Sequence, residues 1–411
     1  MQKKKKKLRI TRVDARKLLF DLVRTPEIQS VPLAECLGRV MAEDVLAEEN
    51  VPSFAKSPLD GYAIRGEDTA GAAEDHPVTL RITEEIPAGG VPHIPITEGY
   101  AAKILTGAPV PEGANVVVRY ENTEFTDTSV TFYEPVTPDK DIVPAGDDIP
   151  KGSMPIRRGE VLTPALLGIL ASLGYTDVNV YKRPYITILS TGSELVYPDE
   201  TPGMGQIRSS SYHLIRGYLE ELGAVVAAPK IVHDGVEAIA RAMEEALEVS
   251  DAVFTTGGVS VGDYDLVPAA AEAIGARKLF WKVRFRPGGT MLAAEKGGKL
   301  ILGLSGNPGS ASLALHLMGI PFVKALSGRP AEPPERIRAE LLEPIEKESP
   351  YGRLVRGALV LRDGRAFFLP VTSQGNGAIS SLVGCDLIAD IPPETPALPA
   401  GAMITAYHLT N

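Results

Sequence analysis

Cysteine, histidine and tryptophan are scarce: the 411 residues contain 2, 6 and 1 of them. Cys36 and Cys385 stand far apart and without CxxC spacing, which argues against a disulfide framework and against a thiolate zinc or iron–sulfur site. No HxxxH pair occurs, so His213, His233 and His316 are read as helix-surface or core residues rather than ligands. Long apolar runs are also lacking. Nothing approaches the roughly 20 apolar residues that span a bilayer, and no apolar segment follows the N-terminal lysines as in an export signal. Positive charge is in deficit, with 42 Lys and Arg against 52 Asp and Glu and a net charge of -10. Nucleic acid and anionic lipid surfaces are therefore poor partners, and the run Lys3 to Lys7 reads as a solvated terminus. The expectation is a cytoplasmic protein with no nucleic-acid and no membrane partner, in which an anionic substrate needs a local pocket.

What the chain does have is 44% hydrophobic residues over a length that exceeds one ordinary core, so several domains are expected. The 40 Gly and 34 Pro favour turns and short strands. Thr11 is placed to cap a helix whose Val13, Leu18, Leu19, Leu22 and Val23 form one apolar stripe ending before Pro26. From Val40 to Asn122, short apolar runs such as 78–82 and 115–118 are broken by Pro and Gly, a β-rich pattern. From Pro184 the runs 185–189, 224–226, 252–254 and 300–302 are continuously apolar and read as buried parallel strands. Helical patterns at 212–219 and 238–249 lie between them, and this alternation marks a doubly wound α/β domain. The proline-rich stretch 328–334 ends it, and short strands at 358–361 and 366–369 follow in a small C-terminal β-domain.

Ligands of open α/β sheets bind beyond the carboxyl ends of the strands. Four loops there combine small residues with charge. Ser190, Thr191, Gly192 and Glu194 follow the first run; Gly257, Gly258, Ser260, Asp263 and Asp265 follow the third. Gly306, Asn307, Pro308 and Ser310 follow the fourth and open a helix running toward Lys324, offering backbone N–H groups and a positive dipole end to an anion. The loop from Arg284 to Gly289 adds cations, Arg286 among them. Together they read as a phosphate site. Carboxylates beside phosphate loops imply Mg²⁺ or another divalent ion, since bare Asp and Glu would repel the ligand.

Several stretches then resemble one family. Ser57-Pro58-Leu59-Asp60-Gly61-Tyr62-Ala63, Leu105-Thr106-Gly107-Ala108-Pro109, Ala145-Gly146-Asp147-Asp148-Ile149, the loops at 189–194 and 257–265, and Gly306-Asn307-Pro308 are similar to the MoeA molybdopterin molybdenumtransferases, relatives of the gephyrin C-terminal domain. The resemblance covers nearly the whole chain. It implies an elongated linking domain from 1–50 together with 143–180, a β-rich domain at 51–142, a MogA-like α/β domain at 181–328 and a small β-barrel-like domain at 329–411. It implies a homodimer whose Asp60 and Thr106 complete the site of the other subunit. It also implies catalytic roles for Asp60, Thr106, Glu194 and Asp265, and metal ligation by Asp148, Glu194, Asp234 and Asp265 with Asp263 beside them. The implied reaction joins molybdate to adenylated molybdopterin and releases AMP with a divalent metal. A molybdopterin adenylyltransferase and molybdoenzyme-delivery proteins are the implied partners.

Departures from the family pattern cluster at the ligand loops: Leu59 before Asp60, Arg286 in place of one lysine and Gly289 where a second is usual, Ser305 and Gly309 flanking Gly306-Asn307-Pro308, and Ser211 in place of an asparagine. On sequence grounds, restoring lysine at 289 is expected to tighten substrate binding. A molybdopterin adenylyltransferase, a tungsten-specific paralogue and a non-catalytic cofactor carrier are the alternative readings.

Overall fold

The computed structural model describes residues 10–260, 266–348 and 352–409. Thr11 caps the helix Arg12–Phe20 by accepting from the Asp14 N–H at 3.2 Å. Ala15 and Leu19 are buried, and Leu18, Leu22 and Val23 pack beside them, but Val13 is 67% exposed and lies off the docking stripe. The helix packs on the α/β core, alongside Ile188 and Phe254.

That core is built on a seven-stranded sheet. Tyr185–Thr191 pairs in parallel with Ala252–Thr256, which pairs in parallel with Lys299–Leu304; Val225–Val226 and Lys230–Val232 pair in parallel on the other edge. Residues alternate between two cores because successive strand side chains point to opposite faces. Ile186, Ile188, Phe254 and Leu302 face one set of helices, including Ser211–Glu221; Leu189, Val253 and Ile301 face Val236–Val249 and Val267–Ala273. Two features differ from the expected all-parallel buried set. Leu292–Lys296 and Arg277–Trp281 extend the sheet antiparallel, and the 225–226 strand is an edge whose Val225 is 42% exposed.

The 308–326 helix opens as Pro308–Ala314, widens to a π turn at Leu315–Gly319, and continues as Ile320–Leu326. Its 19 residues meet the length and apolarity of a membrane span, a stretch that counting strictly apolar runs overlooks. It is a core helix here, with 89% of its most apolar window buried.

Around this body stand three other units. Ile28–Pro32 pairs antiparallel with Asp177–Tyr181, and isolated bridges at Val45–Ile156 and Val51–Ile149 tie the same two stretches of chain. A six-stranded sheet runs in the order 116–119, 61–64, 100–104, 78–86, 129–132, 124–125. The C-terminal segment closes a five-stranded barrel from Arg336–Leu341, Arg365–Pro370, Arg353–Arg362, Leu387–Ile391 and Met403–His408. Leu354, Ile388 and Tyr407 of the barrel join the α/β core cluster, so the two are packed against each other.

Candidate functional site

The strand ends converge as the open-sheet rule requires, and a cavity of 1050 Å³ lies there. Gly257, Gly258, Ser260, Arg286, Gly306, Asn307 and Ser310 line it, seven of the residues read as phosphate-binding. Pro308 is the first residue of the helix that starts from this loop. Ser190 and Thr191 are buried behind the wall rather than lining it: Ser190 accepts from the Ser209 hydroxyl, and Thr191 donates to the Thr256 carbonyl at 3.2 Å. Thr191 thereby backs the Gly257 turn, where φ is +96° and a Cβ would run into the Thr191 backbone oxygen.

The Gly192 to Glu194 loop meets the loop after Lys230–Val232. Ser193 N–H donates to Asp234 at 3.0 Å, and the Asp234 N–H donates to Ser193 Oγ at 3.1 Å. This reciprocal pair holds Asp234 beside the loop carrying Glu194, and both carboxylates are exposed. Asp148 lies on a different unit, where its backbone N–H donates to the Val51 carbonyl at 3.1 Å. No group of three or more His, Cys, Asp or Glu poised for a metal occurs among the described residues. The sequence-expected ligands Asp263 and Asp265 lie outside the described residues.

On the six-stranded sheet, Asp60 precedes the Gly61–Ile64 strand and Thr106 follows Tyr100–Ile104, its antiparallel partner. Both the backbone N–H and the hydroxyl of Thr106 donate to Asp60 Oδ1, each at 2.7 Å. These bonds, the backbone one foremost, hold the Asp60 carboxyl below its ordinary range despite full exposure. No residue of this sheet lines the 1050 Å³ cavity.

The departures acquire physical content. Gly289 is buried, and a Cβ there would overlap the carbonyl oxygens of Val283 and Phe285. Its own carbonyl accepts from Val283 N–H at 2.8 Å, closing the tight loop that carries Arg284 and Arg286. The expectation that lysine could simply be restored at 289 is therefore overturned: the backbone has folded into the space its stem needs. Ser305 Oγ accepts from the Asn307 N–H at 3.3 Å, supplying by a hydrogen bond some of the turn stiffness proline would give. Ser211, buried, donates to the Gly306 carbonyl at 3.2 Å and ties the start of helix Ser211–Glu221 to the same turn. At Gly309 the space of a side chain is occupied by Nη1 of Arg356.

Arg356 belongs to residues that sequence reasoning missed. It is 1% exposed, donates through Nη2 to the Gly375 carbonyl at 2.9 Å, and has no partner for Nε or Nη1 among the described residues. Burial lowers its pKa. Gln374 clamps its backbone from both sides, donating to its carbonyl at 2.8 Å and accepting from its N–H at 3.0 Å. The next residues fasten the barrel to the anion loop, because the Gly309 N–H donates to the Asn376 carbonyl at 2.9 Å. Arg353, Gln374 and Asn376 complete the cavity wall. The one sequence signal was cationic, Arg353 and Arg356 three apart in a β pattern, and period 2 places such a pair on opposite faces.

Three family models match in succession: the MoeA N-terminal region (domain I and II) over residues 10–174, the probable molybdopterin binding domain over 187–325, and the MoeA C-terminal region (domain IV) over 338–409. The molybdopterin molybdenumtransferase of Staphylococcus epidermidis is 34% identical over 375 residues, 91% of this chain and 90% of that protein. That of Staphylococcus aureus strain MRSA252 is 34% identical over 372 residues, 90% and 89% of the two chains. The crystal structure of the molybdopterin biosynthesis MoeA protein from Pyrococcus horikoshii superposes with a TM-score of 0.85 at 27% identity, covering 98% of this chain and all of that one. With the same order of units, the same fold and full-length similarity, the chain belongs to the MoeA family.

Proposed function

We propose that this protein is a molybdopterin molybdenumtransferase, which takes adenylated molybdopterin and molybdate to molybdenum cofactor and AMP. The observation that carries the reading is the convergence of the Gly257–Ser260 loop, the Gly306–Ser310 loop and Arg286 with Arg353, Gln374 and Asn376 of the barrel around one cavity. A pyrophosphate has three things to find there: backbone N–H groups, hydroxyls and planar cations. A reading as a single-domain adenylyltransferase leaves the N- and C-terminal units, both matched, without a purpose.

Glu194 and Asp234 offer hard oxygen donors on adjoining loops, and a Mg²⁺ ion held by one or two carboxylates with water and substrate phosphates fits that donor set. Asp148, Asp263 and Asp265 remain proposed additional ligands. Such an ion would neutralise charge on the pyrophosphate as AMP leaves. The protein's own part is positioning. Arg286 and Arg353 orient the phosphates, the loop hydroxyls of Ser260 and Ser310 hydrogen-bond oxyanion oxygens, and no covalent nucleophile is needed. Water adds to phosphorus, and AMP departs with the bridging oxygen.

Asp60 and Thr106 act in trans, from a second copy of the chain. Two observations support the homodimer. The Asp60 unit contributes nothing to the cavity of its own chain. The helix Pro164–Ser172, sequence PALLGILAS, is uncharged and apolar but for its last residue, yet buries only Leu170 fully, as a helix with an intermolecular neighbour would. Asp60, kept ionised by Thr106, would accept a proton or hydrogen bond from the attacking water. The reading further includes a cytoplasmic location, supply of substrate by a molybdopterin adenylyltransferase, and hand-over of product to molybdoenzyme-delivery proteins.

The test is AMP release from adenylated molybdopterin with Mg²⁺, with molybdate, tungstate or neither. Release that depends on oxyanion supports the transferase and reports its preference; tight binding without release refutes turnover. Asp60→Ala is expected to abolish release with the fold intact, and wild-type release by that variant would remove Asp60 from the mechanism.

A further inference from the structure

The loop that carries Arg284 and Arg286 along the wall of the 1050 Å³ cavity is not held by its own unit alone. On one side, the segment before helix Arg12–Phe20 pairs with it like a parallel strand. The Ile10 N–H donates to the Lys282 carbonyl at 3.2 Å, and the Arg284 N–H donates to the Ile10 carbonyl at 2.9 Å. On the other side, the barrel does the same. The Arg286 N–H donates to the Gly352 carbonyl at 3.2 Å, and the Leu354 N–H donates to the Arg286 carbonyl at 2.7 Å. Arg284 and Arg286, two residues apart, are thus tied to two segments that lie far apart in sequence.

Those two segments are also tied to each other. Arg12, two residues beyond Ile10, reaches Oδ2 of Asp390 in the barrel at 2.8 Å and donates to the Tyr407 hydroxyl at 3.1 Å. Tyr407 in turn donates to the same Asp390 oxygen at 3.1 Å. Asp390 stands opposite Leu354 in the barrel ladder, so the ion pair bears on the strand that grips the Arg286 carbonyl. Its side chains are 23% and 14% exposed, so water and salt screen it less than a surface pair. It also offsets a repulsion. Arg336 of the barrel donates to the Tyr407 hydroxyl at 3.0 Å, and Arg16 of the helix, 6% exposed, faces Tyr407 and both other guanidiniums. Three cations meet at this seam, and Asp390 is the carboxylate bonded there. Neither Arg12 nor Asp390 lines the cavity.

We infer that Arg12 and Asp390 are positioning residues of the substrate cavity: by locking the N-terminal helix to the barrel, their ion pair fixes the spacing between the two segments that flank the cation loop, and so the placement of Arg284 and Arg286. Breaking the pair lets the flanking segments part, and the loop loses the bonds on one side or the other. The cost falls on substrate binding, since a cation displaced by about an ångström no longer meets its phosphate oxygen. The inference rests on the reading of this cavity as the substrate site.

The experiment compares the full-length protein with Arg12→Met, Asp390→Asn, the double variant and Arg12→Lys, each established as folded by circular dichroism melting. Hydrogen–deuterium exchange is expected to quicken across 283–287 in both single variants and to stay as in the wild type across the central strand 252–256. With adenylated molybdopterin and molybdate, KM is expected to rise about tenfold in Arg12→Met with kcat within about twofold. Asp390→Asn should lose more, because it leaves three guanidiniums without their carboxylate. The double variant should be no worse than Asp390→Asn, having no pair left to break, and Arg12→Lys should recover part of the loss. Exchange at 283–287 indifferent to both substitutions, an equal rise in both segments, or losses that simply add in the double variant overturns the inference. The exchange measurement needs no turnover: a wild type that releases no AMP sinks the transferase reading, and exchange at 283–287 then decides this one.

Discussion

Gly289→Lys is the substitution on which reading by resemblance and reading by structure part most sharply. A Cβ at 289 would sit 2.5 Å from the Val283 carbonyl oxygen and closer still to that of Phe285, whereas contacts under 3.0 Å are essentially never seen. The loop must therefore open by about 0.5 Å or more at a point where Val283 and Gly289 are hydrogen-bonded backbone to backbone. Overpacking of this kind costs roughly 1–3 kcal/mol, and here the obstruction is main chain, so about 2–3 kcal/mol is expected. At about 2–4 °C per kcal/mol, the melting point of the α/β unit falls by roughly 4–12 °C. Arg284 and Arg286 ride on the displaced loop, so affinity for adenylated molybdopterin falls rather than rises, by about tenfold or more. Gly289→Ala separates the causes, since it adds the Cβ without the charge. If steric conflict governs, Ala and Lys lose stability alike. A lysine variant that melts like the wild type and binds substrate more tightly would refute the reasoning and show that the loop yields freely.

Further outcomes follow from other contacts. Gly309→Val pushes against the Arg356 guanidinium and the Asn376 carbonyl, 2.8 Å from the added Cβ, and is expected to cost roughly 1–3 kcal/mol and weaken substrate binding; an unchanged denaturant midpoint and affinity would mean that Arg356 repacks without consequence. Thr106→Val removes one of the two bonds that depress the Asp60 pKa and keeps the larger, the backbone N–H, so the Asp60 titration and the acid limb of AMP release should move up in pH part of the way to an ordinary carboxylate. A carbon-13 titration of Asp60 unaltered by the substitution would contradict this. His316 is held at about 4 by burial. With its folded pKa below its unfolded value near 6.5, the folded state binds fewer protons, so stability is fully present above pH 6.5 and declines by up to about 1.4 kcal/mol per pH unit toward pH 4. His316→Phe should flatten that decline in urea unfolding at pH 7 and pH 5, and an equal slope in both proteins would assign the acid sensitivity elsewhere.

Much of the architecture was legible because periodicity is a local property. The runs at 185–189, 252–254 and 300–302 are apolar on both faces, and strands so composed must be covered by helices on both sides, as Ile188 and Leu189 are on their opposite cores. The anion loops were legible for a similar reason, since a small-residue turn after a buried strand lies at the carboxyl edge of the sheet wherever the other strands fall. Val13 and Val225 misled because an apolar residue at the margin of a stripe or on an edge strand carries the same letter as a buried one.

The sequence by itself determined the α/β order, the β-rich units on either side of it and the loops from which a phosphate site is made, since each depends on residues close in the chain. Only the tertiary structure decided that Arg353, Gln374 and Asn376 of the barrel close the cavity begun by Gly257 and Gly306, that Arg356 is buried against Gly309, that Ser190 and Thr191 stand behind the cavity wall, and that Gly289 and Gly309 have no room for side chains. The physical reason is that these outcomes rest on close approaches between segments far apart in sequence, and such distances are set by how finished units pack rather than by any pattern within one of them.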